Sequence, residues 1–123
     1  MFEKLVSTLL ESRTQAHIFH WQTKGTSSFA AHMALQAYYD GIVGLVDALV
    51  ESYQGKNGIA SGYTSPEKFA DLSSNSNALK YFKALAIFVE KSHPKFKETW
   101  IQNQIDTISE LIYSTIYKLE NLG

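Results

Sequence analysis

The stretch FAAHMALQAYYDGIVGLVDALVESY, residues 29–53, decides the fold. Within it Leu35, Tyr39, Ile42, Val46, Leu49 and Tyr53 recur at steps of three and four, the period of an amphipathic α-helix and not of a strand. Gly41 and Gly44 interrupt the pattern and weaken the helix by about 1 kcal/mol each relative to Ala. Their presence predicts close approach of a neighbouring helix. Ser27 or Ser28 stands where an N-cap residue belongs, one or two positions before Phe29.

Three more amphipathic segments flank this one. Residues 2–23 place Phe2, Leu5, Leu9, Ala16 and His20 on one stripe with Val6, Leu10 and His17 beside it, and Gly25 closes the segment. Residues 55–62 are rich in Gly, Asn and Ser and read as a loop. Ser65-Pro66-Glu67 resembles an N-cap followed by proline at the first helical position, which predicts a short helix over 66–72. After a Ser/Asn-rich break at 73–77, Leu79, Phe82, Ala86 and Val89 define a third helix over 77–91. Ser92-His93-Pro94 separates it from a fourth, where Ile101, Ile105, Ile108, Ile112, Ile116 and Leu119 form an unbroken stripe. No strand pattern and no internal repeat is visible. The expected architecture is an all-α four-helix bundle, with a crossover as the long connection between the second and third helices.

The whole chain, 123 residues and 13.8 kDa, fits one domain with a single core. Net charge is −1, so composition gives no support to nucleic-acid binding. The absence of cysteine leaves His, Asp and Glu as the metal ligands available, a set that suits iron, manganese or zinc. The start Met1-Phe2-Glu3-Lys4 lacks the basic region and apolar core of a signal peptide. No uninterrupted apolar run approaches the roughly 20 residues of a membrane span. A soluble, cytoplasmic protein is the expectation.

Three of the four histidines, His17, His20 and His32, fall within sixteen residues, and two acids follow at Asp47 and Glu51. The acids are four apart and project from one face of the second helix. His32 precedes Asp47 by fifteen residues, about 22 Å along a helix. The imidazole and the acids therefore cannot share a metal within one chain, although all three lie on roughly the same side. Two copies of the helix packed antiparallel about a two-fold axis would bring the start of one against the end of the other. His20 reaches the same place from the end of the first helix.

The run His20-Trp21-Gln22-Thr23-Lys24-Gly25, followed by Phe29, His32, Leu35, Asp47 and Glu51, closely resembles the signature of the Dps family of mini-ferritins. That signature is a His-Trp pair, a Gly, a second His twelve positions after the first, and an Asp and a Glu four apart. The resemblance covers residues 5–55 and implies a ferritin-like bundle. It implies His20 and His32 as iron ligands from one subunit and Asp47 and Glu51 as ligands from another, with Glu51 bridging two metal positions. Trp21 matches the tryptophan that handles oxidising equivalents beside the di-iron site. The implied chemistry is oxidation of Fe(II) by peroxide or dioxygen, with ferric mineral kept inside a hollow oligomer and zinc or manganese as substitute ions.

Departures from that family qualify what carries over. The position four after the second histidine, usually an acid, is Gln36, an uncharged and poorer ligand that predicts a weaker second iron position. Asp40 is one turn further and His17 three residues before His20; both are candidate auxiliary groups. The chain is shorter than its relatives, so a two-fold homodimer is the minimal expected assembly and a dodecameric cage the fullest one. No Lys/Arg-rich tail is present, and tail-mediated DNA binding is not implied. Glu90-Lys91-Ser92-His93 has the spacing of a di-iron Glu-x-x-His motif but has no second copy and reads as a helix end. The remaining bland reading of the cluster is an interfacial set of salt bridges, in a ferritin-like dimer that binds or scaffolds without catalysis.

Overall fold

The computed structural model describes residues 1–25 and 28–122. Four α-helices run Phe2–Gln22 (α1), Phe29–Asn57 (α2), Asn75–Ser92 (α3) and Thr99–Asn121 (α4), with a short 3-10 turn at His93–Lys95. No strand occurs among the described residues. Each predicted apolar stripe points inward. Leu35, Ile42 and Leu49 of α2, Phe82 and Val89 of α3 and the isoleucines of α4 from Ile101 to Ile112 are fully or almost fully buried, together with Leu5 and Leu9 of α1. Leu10, expected beside the α1 stripe, is half exposed.

Neighbouring helices are antiparallel. Phe2 stacks on Tyr53 at 3.6 Å while His20 stacks on His32, so α1 and α2 form a hairpin along their full length. On the other side of α2, Ser52 bonds Gln104 and Lys56 pairs with Glu98. Lys83–Glu120 and His93–Asp106 ion pairs fix α3 against α4 in the same sense. Tracing the chain gives up, down, a crossover, down, up.

The crossover, residues 58–74, travels back along α1 and is held by α1 side chains. Ser7 Oγ accepts the Thr64 N–H, Gln15 both accepts from and donates to the Ala70 backbone at 2.8 Å, and Gln22 accepts the Leu72 N–H at 2.7 Å. This corrects the expected helix over 66–72, where only bends occur. Backbone groups that a helix would pair internally are instead satisfied by α1, which keeps the segment extended enough to span the bundle.

Helix ends also differ from expectation. α2 continues through Gly55 to Asn57 and stops at Gly58, whose φ of 84° is the left-handed geometry that favours glycine and whose N–H bonds Gln54 O. α3 starts two residues early because Ser74 and Asn77 form a reciprocal capping box. Ser28 occupies the α2 N-cap position without a side-chain cap bond, and Ser27 lies outside the described residues. Gly41 meets the expected close approach, since a Cβ there would come within 3.3 Å of Leu111, whereas nothing lies within 4 Å of one built at Gly44.

One polar pair is sealed in the core. Ser12 donates to Leu9 O at 2.7 Å, so its oxygen accepts the Tyr38 hydroxyl at 2.6 Å. Burial pushes the Tyr38 hydroxyl well above the usual tyrosine range, outweighing the opposing effect of Ser12. Ser12→Ala leaves that hydroxyl without an acceptor and should cost about 1–3 kcal/mol in urea unfolding. Tyr38→Phe, which orphans nothing, should cost only about 1 kcal/mol, although it removes a group from the larger side chain. The reverse order would contradict this hydrogen-bond assignment.

Candidate metal centre

The C-terminal turn of α1 and the first turns of α2 meet at the end of their hairpin and bring together four of the singled-out side chains. His20 is buried, 8% exposed, and His32 half-buried. Their rings stack at 3.6 Å with 21° between planes. Each imidazole bonds the other residue's backbone: His20 Nδ1 lies 2.8 Å from His32 O, and His32 Nδ1 lies 3.0 Å from His20 O. Thr23 caps the end of α1, donates its hydroxyl to His20 O at 2.8 Å, and places its oxygen 2.9 Å from His32 Nδ1.

These bonds determine the tautomer. A backbone carbonyl only accepts, so the proton in each bond belongs to Nδ1. In a neutral imidazole the lone pair then sits on Nε2, the arrangement by which proteins present histidine to a metal. Among the described residues neither Nε2 has a hydrogen-bond partner, and no buried side-chain N or O atom is left unpartnered.

An aromatic group surrounds this pair. The His17 ring is held between Trp21 at 4.1 Å and Tyr39 at 4.2 Å, and Tyr39 meets His20 edge-on at 5.3 Å. Trp21 itself is 67% exposed. Gln36 is half-buried and Asp40 exposed on successive turns of α2 beyond His32.

Asp47 and Glu51 are not part of this cluster. Both are exposed near the other end of the same continuous helix, about 22 Å from His32 by helical rise. Among the described residues no group of three or more His, Asp or Glu side chains is close enough to hold a metal ion. One chain thus carries two oriented imidazoles at one end of α2 and two carboxylates at the other. The Glu90/His93 pair does not form a site of its own: His93 Nε2 faces Asp106 at 3.2 Å and Glu90 accepts the Tyr113 hydroxyl.

Two residues at the centre escaped the sequence reading. Tyr39, expected in the apolar stripe, does pack against the core and in addition covers both His17 and His20. Thr23 stands in the run that carries the resemblance but has no role there, though a hydroxyl residue three positions after His20, at a helix end, is well placed to bond the freed carbonyl.

A model for a family of unknown function, DUF5856, matches residues 20–119, and the chain belongs to that family. No curated protein and no solved structure matches the chain.

Nitrogen NMR of the imidazoles checks the tautomer directly. His20 and His32 should both show protonated Nδ1 and pyridine-like Nε2 at pH 8, and Thr23→Val should loosen only His32. Protonated Nε2 at either residue would contradict the carbonyl bonds.

Proposed function

We propose that the chain is a ferritin-like, Dps-like ferroxidase that oxidises Fe(II) with hydrogen peroxide or dioxygen at sites shared between two subunits. The observation that carries this reading is the reciprocal imidazole–carbonyl bonding, which puts the proton of each neutral ring on Nδ1 and leaves each Nε2 without a hydrogen-bond partner among the described residues. The order up, down, crossover, down, up agrees with a ferritin-like bundle, and imidazole with carboxylate is a borderline-hard set suited to Fe(II).

In this reading Fe(II) is substrate. His20 and His32 bind through Nε2, Thr23 holds the His32 ring, and the partner subunit's Asp47 and Glu51 complete the set, with Glu51 between two metal positions. Peroxide takes one electron from each of two Fe(II) ions and, with two protons, leaves as two waters. Gln36 makes the second position the weaker one. Trp21, stacked through His17 on Tyr39, provides oxidisable rings beside the site. The minimal assembly is a two-fold homodimer, a dodecamer permits mineral storage, and a cytoplasmic location is part of the proposal. DNA binding is not part of the proposal. The second reading, a non-catalytic dimer with a vestigial site, is favoured only by Gln36.

Mixing variants tests both readings. Fe(II) is added anaerobically, followed by peroxide, and ferric absorbance is followed. His32→Ala and Glu51→Ala should each be inactive, because each breaks both sites of a dimer. Dissociated and reassociated together, they form mixed dimers holding one intact site, and about a quarter of wild-type activity should return. Wild-type protein that oxidises no faster than buffer would reject the enzyme, and absence of recovery would reject the shared site.

A further inference from the structure

The outward face of α2 has an unusual composition for a helix exposed to water. Met33, Ala37, Asp40, Gly44, Asp47 and Glu51 follow at alternating steps of four and three, all exposed, on the side opposite the buried Leu35, Ile42 and Leu49. Over an 18-residue window α2 has mean hydropathy 1.2 with only 33% of that window buried, enough by length and composition to cross a membrane. Apolar exposure continues onto α1: the exposed Leu10 and Val43 flank a groove, also lined by Arg13 and Asp47, whose floor is the buried Leu9, Ile42 and Val46. Among the described residues, Arg13, Asp40, Asp47 and Glu51 form no ion pair. Arg13 is the only arginine in the chain.

We infer that this face docks a second copy of the chain, α2 against α2 antiparallel, and that Arg13 pairs across the two-fold with the partner subunit's Asp40. The inference rests on the shared-site reading, which sets the register. If His32 is to lie opposite the midpoint of Asp47 and Glu51 of the other copy, residue numbers on facing positions sum to 81, and the axis crosses α2 between Asp40 and Gly41. Gly44 then faces the partner subunit's Ala37, and the open space above Gly44 allows the backbones to approach. The two Asp40 carboxylates fall beside the axis and repel unless a cation neutralises them.

Arg13 meets that requirement in height and in direction. Stacking of Phe2 on Tyr53 and of His20 on His32 places residue 13 of α1 at the level of residues 40–42 of α2. At about 100° per residue, Asp40 and Asp47 sit on the edge of the stripe nearer α1, the edge that carries Val43 and the groove. A two-fold axis between antiparallel helices leaves both copies of α1 on one side, so each Arg13 faces the other chain's Asp40. Three acids along the stripe make it a poor fit to lipid and a good fit to a surface bearing its own arginine.

Sedimentation of the full chain and a charge exchange test the pairing. Wild-type protein should be a dimer or a multiple of one. Arg13→Glu and Asp40→Arg should each raise the dissociation constant at least roughly tenfold, and the double variant should recover most of the loss, with circular dichroism unchanged throughout. A wild-type monomer at roughly 100 µM would overturn the inference. So would association indifferent to Arg13→Glu, singles whose defects the double does not relieve, or flotation with lipid vesicles in place of self-association. The ferroxidase reading fails separately: a wild-type dimer that shows the Arg13 and Asp40 dependence but oxidises no Fe(II) sinks the chemistry and keeps the interface. Oxidation that depends on His32 and Glu51 in trans but ignores Arg13 keeps the chemistry and sinks this register.

Discussion

An α-helix advances about 1.5 Å per residue and does not fold back on itself, and this rigidity governs the molecule. α2 is one uninterrupted helix of 29 residues, about 44 Å long, with imidazole chemistry at its start and carboxylate chemistry near its end. No side-chain rearrangement within one chain can close a separation of about 22 Å. Any metal chemistry that uses both ends must come from assembly. The same length also shapes the bundle, because a chain that must return from the far end of α2 to start a parallel α3 needs a full-length crossover.

That crossover and the histidine pair illustrate one solution to the same problem, namely backbone polar groups left over where helices end or are absent. Along the crossover, glutamine and serine side chains of α1 satisfy the exposed N–H groups, and Gln15 does so with both ends of its amide. At the hairpin end, the His20 carbonyl, freed in the last turn of α1, accepts from the Thr23 hydroxyl and the His32 ring, and the His20 ring bonds the His32 carbonyl in return. The first arrangement contributes structure alone. The second contributes structure while also fixing the orientation and tautomer of both rings.

Most of the architecture was legible in periodicity, since apolar spacing of three and four is a direct consequence of burying one face of a helix. The α4 isoleucines and the α2 stripe fell where expected because nothing competes with core burial there. The helix expected after Pro66 was misjudged for a complementary reason. Local turn chemistry predicted it, while long-range bonds from Ser7, Gln15 and Gln22, invisible in local sequence, hold the segment extended. Spacing pointed to His20 and His32 as neighbours, but their mutual backbone bonds and the cover of Tyr39 depend on how two helices rotate against each other. The relation of the acids to the imidazoles lies outside one chain altogether.

Anomalous diffraction from crystals soaked in Fe(II) without oxygen, or in Zn(II), is the most direct measurement. A metal peak should lie at coordination distance from Nε2 of His20 or His32 of one molecule and from the carboxylate oxygens of the partner subunit's Asp47 and Glu51. A peak ligated wholly within one chain, or two-fold related molecules whose imidazoles face no carboxylate, would contradict the shared centre.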